Sequence, residues 1–394
     1  MNSFILTNEV QQFINDNLNS DIHKILFKKS PFTELSTKEL VEQIESKIKA
    51  KQKIPTWFKT DNIIYPNKLN LSQTSSELTS EYKTSLVSGT NLLDLTGGYG
   101  VDSFAFSKKI TNVIHVEKNK ELSALAKHNF NQLKITNIKC KSDDGISFLK
   151  ISKEVFDWIY IDPSRRDKNN KKVYYLSDCE PNILEHIDLL FNRSNNILIK
   201  TGPLLDLNTG LKQLNNVKEI HIIAIGNDVK EVLWILKKNY SKETLIKTIN
   251  IKNDVEQKFE FKISQENSTA STYSLPKAYL YEPNASILKS GAFNLVGKHY
   301  NLEKLHPNSH LYTSNDLIKF PGRVFKIIQE IDYSKKSIKK IGVSKANITT
   351  RNFPDSVATI RKKLQLKDGG DTYLMFTTNK NKSLITLFCH QVFL

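Results

Sequence analysis

The sequence predicts an α/β fold in which a mainly parallel sheet, with one antiparallel strand at its edge, is covered by helices on both faces. The main observation is that short apolar runs alternate with helix-length segments from Asn91 onward, a pattern typical of such sheets. The apolar runs are Asn91–Leu95, Asn112–Glu117, Ile138–Lys141, Asp157–Ile161, Ile197–Lys200 and Ile220–Ile225.

The segments between these runs predict the covering helices and one hairpin. Asn119–Leu133 and Asp178–Phe191 have the length and apolar spacing of helices. The turn Gly226-Asn227-Asp228 separates the last run from Val232–Leu236, which predicts a hairpin and hence the antiparallel edge strand.

The two ends of the chain have other patterns, and 394 residues are too many for one typical domain. Phe4–Phe13 and Lys38–Ile48 have helical spacing, whereas the C-terminal part predicts short strands and a helix near Ser356–Leu366, an α+β domain. Before that domain, Ile249–Ile251 and Phe259–Ile263 predict a small hairpin. We therefore expect four segments: 1–70 (helical), 71–245 (α/β), 246–319 (hairpin and a small segment) and 320–394 (α+β).

Composition restricts the class of protein. The formal net charge of +16 favours a polyanion such as nucleic acid as partner, although the excess of lysine also fits coding bias in an AT-rich genome. Cys140, Cys179 and Cys389 lie far apart, which argues against a zinc knuckle or a disulfide framework, so we expect no metal. Met1–Ser20 has no signal-peptide pattern and no run is long enough to cross a bilayer, so we expect a cytoplasmic protein without membrane contact. The sequence predicts no oligomeric state.

A glycine loop follows the first predicted strand, in the segment from Asp94 to Asp102. Glycines at such a turn let a cofactor approach the backbone, and the following helix supplies free N–H groups. The alternative is a tight strand–helix turn that binds nothing. The candidate cofactor-binding residues here are Asp94, Thr96, Gly97, Gly98, Gly100 and Asp102.

Acidic residues end the next two predicted strands. Glu117 follows the second strand, where a carboxylate can accept both hydroxyl groups of a ribose. Asp143 and Asp144 follow the third strand, where one of them could meet the exocyclic amine of adenine. Because ligands of such sheets bind beyond the carboxyl ends of the strands, acids at both ends point to an adenosyl cofactor.

A further candidate segment precedes the first strand. Such segments often fold over the cofactor, and this one supplies Gln73, Ser75, Ser76 and Glu77 as candidates. The alternative is a capped surface helix, since a serine followed by acidic and polar residues starts a helix in any case.

The exit of the fourth strand carries the candidate catalytic residues, Asp162, Pro163, Ser164 and Arg165. This is where methyltransferases with a (D/N)PP(Y/F) motif bind the acceptor; here Ser164-Arg165 replaces Pro-Tyr, so methylation of an exocyclic amine does not simply carry over. The chain has six arginines, two of them Arg165 and Arg166, and an arginine can bind phosphate with two parallel hydrogen bonds. An ion pair with Asp162 or Asp167 is the alternative.

Together these motifs resemble a family of bacterial class I methyltransferases whose Rossmann-like domain is followed by a small ferredoxin-like segment and a THUMP-like domain. In this family alanine commonly stands where this chain has Ser164. The resemblance covers most of the chain and is carried by Gln73–Glu77, Asp94–Gly100, Asp162–Arg166, Tyr281–Ala285, Asn308–Tyr312 and Phe320–Arg323.

The resemblance implies S-adenosylmethionine as cofactor, and RNA (tRNA or rRNA) as partner because THUMP domains bind RNA. We expect methylation of a base nitrogen or ribose oxygen with Asp162 nearest the acceptor, since an in-line displacement needs no covalent step. Cys179 opens a predicted helix and fits a cap better than a nucleophile. The alternatives are a methyltransferase of a small metabolite, an RNA-binding protein with a vestigial cofactor fold, and an NAD(P)-linked oxidoreductase, which Asp94-Leu95-Thr96 and Asp162-Pro163 argue against.

Overall fold

A computed structural model of the chain describes residues 2–164, 176–253 and 255–393. Of the candidate site residues, Arg165 lies outside the described residues, as does Arg166. The chain divides into two compact units, one comprising Met1–Val217 and Trp234–Tyr240, the other Lys218–Leu233 and Ser241–Leu394.

The first unit begins with helices, as predicted. They are α1 (Asn8–Asp16), α2 (Ile22–Leu26), α3 (Thr37–Lys53), α4 (Pro55–Lys59), α5 (Lys68–Gln73) and α6 (Glu77–Leu86). Helix α3 begins at a capping box, in which the Ser36 hydroxyl accepts from Glu39 N and the Glu39 carboxylate accepts from Ser36 N. The apolar side of α1 packs on that of α3 in a cluster containing Val10, Ile14 and Ile44.

A nine-stranded sheet follows, in the strand order β3-β2-β1-β4-β5-β7-β6-β8-β9. Its strands are β1 (Asn91–Asp94), β2 (Asn112–Val116), β3 (Ile138–Lys141), β4 (Trp158–Ile161), β5 (Asn196–Thr201), β6 (Val217–Ile225), β7 (Asp228–Lys237), β8 (Leu245–Lys252) and β9 (Val255–Lys262). The pairs β1–β2, β1–β4, β2–β3 and β4–β5 are parallel, so the predicted α/β class is confirmed. The connecting helices are α7 (Val101–Ser107), α8 (Lys120–Gln132), α9 (Gly145–Ile151), α10 (Ile183–Arg193) and α11 (Leu207–Gln213).

The predicted edge position of the antiparallel strand is wrong. Strand β7 follows the turn at Gly226 and Asn227, both at positive φ as a two-residue hairpin requires, but it lies between β5 and β6. Beyond β6, the predicted small hairpin is β8 and β9, with β8 parallel to β6. The reason is burial: residues 232–236 of β7 are all buried, as expected of a strand inside a sheet that is covered on both faces.

The rest of the second unit contains a seven-stranded sheet with the order β11-β12-β10-β13-β16-β15-β14. Its strands are β10 (Tyr279–Pro283), β11 (Glu303–Lys304), β12 (Tyr312–Ser314), β13 (Gly322–Ile331), β14 (Lys345–Arg351), β15 (Lys367–Thr378) and β16 (Leu384–Val392). The pairs are antiparallel except β14–β15. The helices are α12 (Ile263–Asn267), α13 (Ala285–Ser290), α14 (Leu295–His299), α15 (Lys335–Lys340) and α16 (Val357–Leu364). No helix in the described part of the chain is long and apolar enough to cross a membrane.

Candidate cofactor and acceptor site

The glycine loop and the Asp162 motif meet at one edge of the sheet. Strands β1 and β4 are parallel neighbours, so both segments leave the sheet at its carboxyl edge. A hydrogen bond joins them, because Asp162 N donates to Thr96 Oγ1 at 2.7 Å. The two motifs therefore form one site in the first unit.

The three glycines of the loop have different surroundings. A Cβ on Gly97 would lie 2.2 Å from the His115 ring, and one on Gly100 would lie 2.4 Å from Phe130, so these two glycines permit close packing inside the protein. Gly98 has a φ of +55°, and the nearest atom to a Cβ there is Thr96 O at 3.8 Å. Gly98 therefore borders open space, where a ligand can approach the backbone.

Glu117 lies directly beside this glycine. Its Oε2 accepts from Gly98 N and its Oε1 accepts from Asn119 N, both at 2.8 Å. The side chain is half-buried at the end of β2, and each carboxylate oxygen keeps a lone pair for a further donor. The sequence predicts Glu117 at a strand end beside the loop, and the structure shows it there.

The two aspartates after β3 are placed differently. Asp144 is exposed and caps α9 by accepting from Ser147 N at 2.8 Å. Asp143 is half-buried, and its Oδ1 accepts from Asp144 N at 2.8 Å. Each carboxylate thus accepts one backbone N–H, and the choice between the two as the residue that meets the adenine amine stays a prediction.

Asp94 lies beneath the loop and is 1% exposed. Its carboxylate accepts from Ser103 Oγ at 2.6 Å and from Thr96 N at 3.2 Å. Burial raises the pKa of Asp94 to about 7, against the opposing effect of the Ser103 hydrogen bond. Ser103 Oγ also lies 3.1 Å from Nδ1 of His115, whose pKa burial lowers to about 4.

Asp102 belongs to a second buried network. Its carboxylate accepts from three hydroxyl groups, those of Ser75 (2.8 Å), Ser80 (2.8 Å) and Tyr160 (2.7 Å). Lys83, whose side chain is fully buried, lies 3.1 Å from Asp102 and donates to Ser75 at 2.8 Å. Burial alone would raise the pKa of Asp102, but the charges of Lys83 and Lys200 lower it to about 2. Asp102 and Ser75 thus hold α6 against α7.

The remaining pre-strand candidates make local contacts. Ser76 caps α6 in a capping box with Thr79, as the alternative interpretation expected, and Gln73 is an exposed residue at the end of α5. Glu77 accepts from Thr56 N at 2.7 Å and from Thr56 Oγ1 at 3.1 Å, which ties α6 to α4. A direct cofactor contact of these three residues stays a prediction.

On the acceptor side, Asp162 forms an ion pair with Lys200 at the end of β5. The Asp162 side chain is 34% exposed and that of Lys200 only 12%, so the carboxylate faces solvent while the ammonium group lies deeper. Pro163 is buried, whereas Ser164 is exposed and its backbone N and O pair with Glu180 at 2.8 and 3.1 Å. The pattern of residues predicted Asp162 but not Lys200.

Residues of the N-terminal helical region pack against the glycine loop. The Trp57 ring lies 4.7 Å from that of Tyr99, and Tyr99 Oη donates to Ile64 O at 3.0 Å. Asn129 of α8 donates to the same carbonyl oxygen at 2.9 Å and accepts from Ile64 N at 3.0 Å. Residues near 54–65 therefore form one core with the loop, a role that the sequence left undetermined.

Comparison with known proteins agrees with this architecture. Residues 72–186 match a family described as conserved hypothetical protein 95, residues 279–321 a ferredoxin-like domain, and residues 322–391 a THUMP domain-like family. A crystal structure of a candidate methyltransferase from Porphyromonas gingivalis superposes with a TM-score of 0.88 at 31% identity, covering 99% of both chains.

A curated relative from Mycoplasma mobile, described as an uncharacterized RNA methyltransferase, is 29% identical over 160 residues. That match covers 36% of this chain and 44% of the relative, so the chain spans less than half of that protein. The resemblance seen in the sequence is confirmed: the chain belongs to the family of the Porphyromonas gingivalis protein, methyltransferases with a ferredoxin-like and a THUMP-like domain after the Rossmann-like domain.

Proposed function

We propose that this methyltransferase transfers the methyl group of S-adenosylmethionine to RNA, at a base nitrogen or a ribose oxygen of tRNA or rRNA. The observation that carries the proposal is the hydrogen bond from Asp162 N to Thr96 Oγ1, at 2.7 Å. It brings the candidate acceptor residue to the side of the candidate cofactor loop, as an in-line transfer requires.

The residues around the loop fit an adenosyl cofactor. A Cβ at Gly98 would meet no atom closer than 3.8 Å, which leaves the backbone accessible to a ligand. Glu117 would hold the ribose hydroxyl groups, because its half-buried carboxylate keeps free lone pairs next to Gly98. Asp143, at the end of the adjacent strand β3, would accept from the adenine amine.

S-adenosylmethionine, when bound, supplies an electrophilic methyl group. The chain has to orient the acceptor and accept its hydrogen bond. Asp162 suits this task because its carboxylate is partly exposed at the strand end, where it can accept from an acceptor N–H or O–H. The Lys200 ammonium group beside it fixes the orientation of the carboxylate. Pro163, Ser164 and Arg165 stay predicted residues of the acceptor side.

Three observations favour RNA over a small metabolite as acceptor. Residues 322–391 match a THUMP domain-like family, and the Mycoplasma mobile relative is described as an RNA methyltransferase. The formal net charge of +16 attracts a phosphate backbone. The same charge predicts that binding weakens steeply with salt.

The test is transfer of a labelled methyl group from S-adenosylmethionine to bulk bacterial RNA by the full chain. We expect incorporation by the wild type, severe loss in Asp162→Ala with cofactor binding retained, and loss of cofactor binding in Gly98→Ala. Gly226→Ala is the matched control, because Gly226 also has positive φ (+59°) and open space around its Cβ position, so the backbone strain is similar.

Each alternative function predicts a different result, in the methyl-transfer assay or in calorimetry of cofactor binding. Unchanged turnover in Asp162→Ala would remove the acceptor role of that residue. No calorimetric signal with S-adenosylmethionine would favour the vestigial RNA-binding protein. Label that enters small molecules of a cell extract but not RNA would favour the metabolite enzyme.

A further inference from the structure

Two arginines of the second unit converge on one buried carboxylate. Glu282 of β10 is 2% exposed and lies opposite Arg323 of β13. Its Oε2 accepts from Nε of Arg323 at 2.6 Å and also pairs with Nη2. Its Oε1 accepts from Nε and Nη2 of Arg351 at 3.2 and 2.9 Å. We call these three residues the arginine pair and its glutamate.

Each guanidinium group offers an unused edge. Both arginines bind Glu282 through Nε and Nη2, and Arg323 Nη2 also donates to Thr349 at 3.3 Å. The two Nη1 groups have no hydrogen-bond partner among the described residues, while the side chains are 33% and 38% exposed. An arginine Nη1 can donate two hydrogen bonds, so a partly exposed set of donors remains.

The charge of this cluster is not balanced. One carboxylate faces two guanidinium groups, which leaves a net positive charge held in a fixed position. The field of Arg351 extends to His310, whose pKa is lowered to about 4 by burial and by the charges of Lys304 and Arg351. One arginine is enough to neutralise Glu282, so the second leaves a positive charge in excess.

Two aromatic rings lie close to the guanidinium group of Arg323. Its guanidinium carbon lies 5.4 Å from the ring centre of Phe325 and 6.0 Å from that of Tyr373. Phe325 is buried, whereas Tyr373 is half-buried. Arginine donors beside a partly exposed aromatic ring are typical of sites that bind a phosphate group and stack a base.

We infer that the arginine pair and its glutamate form a phosphate-binding site for a single-stranded segment of RNA. Glu282 holds both guanidinium groups, their Nη1 groups bind a phosphodiester, and Tyr373 stacks on an adjoining base. The identification of RNA rests on the proposed function, whereas the anion site rests on the contacts of these side chains.

The test is binding of a short labelled RNA strand to the full chain at several salt concentrations. For Arg351→Gln we expect about tenfold weaker binding and a slope of log K against log salt that is smaller by about 0.7. Arg351→Lys keeps the charge but loses the planar donor edge, so we expect intermediate affinity. Lys362→Gln, which removes the charge of an exposed lysine of the same unit, is the matched control and should change affinity less than twofold.

Unfolding midpoints and S-adenosylmethionine binding are measured on every variant. If Arg351→Gln and Arg351→Lys lower the midpoint but bind RNA like Lys362→Gln, the cluster is a structural ion pair and the inference is overturned. Wild-type protein that binds no RNA would also overturn it. Labelled methyl transfer distinguishes failure of this inference from failure of the proposed function. If Arg351→Gln leaves RNA methylation unaffected, the proposed function still holds. If RNA binds through Arg351 but is not methylated, only the proposed function is wrong.

Discussion

The acidic residues around the glycine loop fall into two regions with opposite environments. Beneath the loop, Asp94 is 1% exposed and the Asp102 side chain 11% exposed, and hydroxyl groups or lysine surround both. At the rim, Glu117 and Asp143 are half-buried and Asp162 is 34% exposed. All five are candidate site residues on sequence pattern alone.

The difference teaches that an acidic residue at a strand end or in the glycine loop of the sequence does not by itself reveal what its carboxylate does. A carboxylate has about four lone-pair sites, and the described contacts of Asp102 use at least that many. The described contacts of Glu117 and Asp143 leave lone pairs unused, and the Asp162 side chain is 34% exposed. We therefore expect the buried acids to act on stability, and the rim acids to act on binding and turnover.

The largest effect should come from breaking the buried ion pair. Lys83→Met removes the buried ammonium group that pairs with Asp102, which is expected to lower the free energy of unfolding by about 3–5 kcal/mol. Urea unfolding measures the loss. Lys51→Met, at an exposed lysine of α3 in the same unit, should change stability by less than about 0.5 kcal/mol. Equal stability of the two variants would contradict the assignment of Asp102 to the scaffold.

The next effect concerns pH and Asp94. Its folded pKa of about 7 lies above the ordinary value of 3.8, so the native state binds more protons than the unfolded state between these pH values and stability falls as pH rises. His115, with a folded pKa of about 4 below the ordinary 6.5, gives the opposite trend between those values.

Asp94→Asn removes only the first trend. The unfolding free energy of the variant minus that of the wild type should therefore rise by about 2 kcal/mol between pH of about 5 and about 7, with a slope of about 1.4 kcal/mol per pH unit near pH 5 that falls to about half near pH 7. Urea titrations of both proteins across this range measure the difference. A difference that is flat or falls with pH would show that Asp94 is not a buried acid with a raised pKa.

A smaller effect on binding is expected at the rim. Glu117→Gln keeps the shape of the side chain but removes the charge that would hold two ribose hydroxyl groups, so S-adenosylmethionine should bind about tenfold more weakly by calorimetry. Glu121→Gln, at an exposed glutamate of α8 nearby in sequence, is the control and should bind like the wild type. If Glu117→Gln lowers stability but leaves the affinity for S-adenosylmethionine unchanged, Glu117 acts on stability, like the buried acids.

The sequence predicted where the parallel strands lie along the chain, but it did not predict the order of all the strands in the sheet. Strands β1, β2, β4 and β5 were identified because buried parallel strands are mostly apolar runs such as Ile197–Lys200. The turn at Gly226-Asn227 predicted a hairpin but could not show that β7 lies between β5 and β6. A local turn specifies which strands pair across it, whereas the partner on the far side depends on burial along the whole strand.

Residue type in the sequence identified the acidic and glycine residues of the candidate site. It did not identify residues whose type is common throughout the chain. In a chain rich in lysine, nothing marks Lys83 as fully buried or Lys200 as the partner of Asp162. One signal was available: Lys200 is a charge within an apolar run, at the end of the strand next to the Asp162 strand. His115 is likewise a polar residue inside an apolar run, and it explains why position 97 is glycine.

The smallest expected effects separate Asp143 from Asp144. Asp144→Ala removes the N-cap of α9, which should lower the free energy of unfolding by about 1 kcal/mol and leave cofactor affinity unchanged. Asp143→Ala should do the reverse, weakening S-adenosylmethionine binding by about threefold to tenfold with little change in stability, because it removes one hydrogen bond to the adenine amine. Each variant serves as the control of the other, since each removes one carboxylate from the same turn. If Asp144→Ala weakens binding and Asp143→Ala does not, the more exposed aspartate is the ligand residue. Exposure then does not separate a cofactor-binding acid from a helix cap at the end of β3.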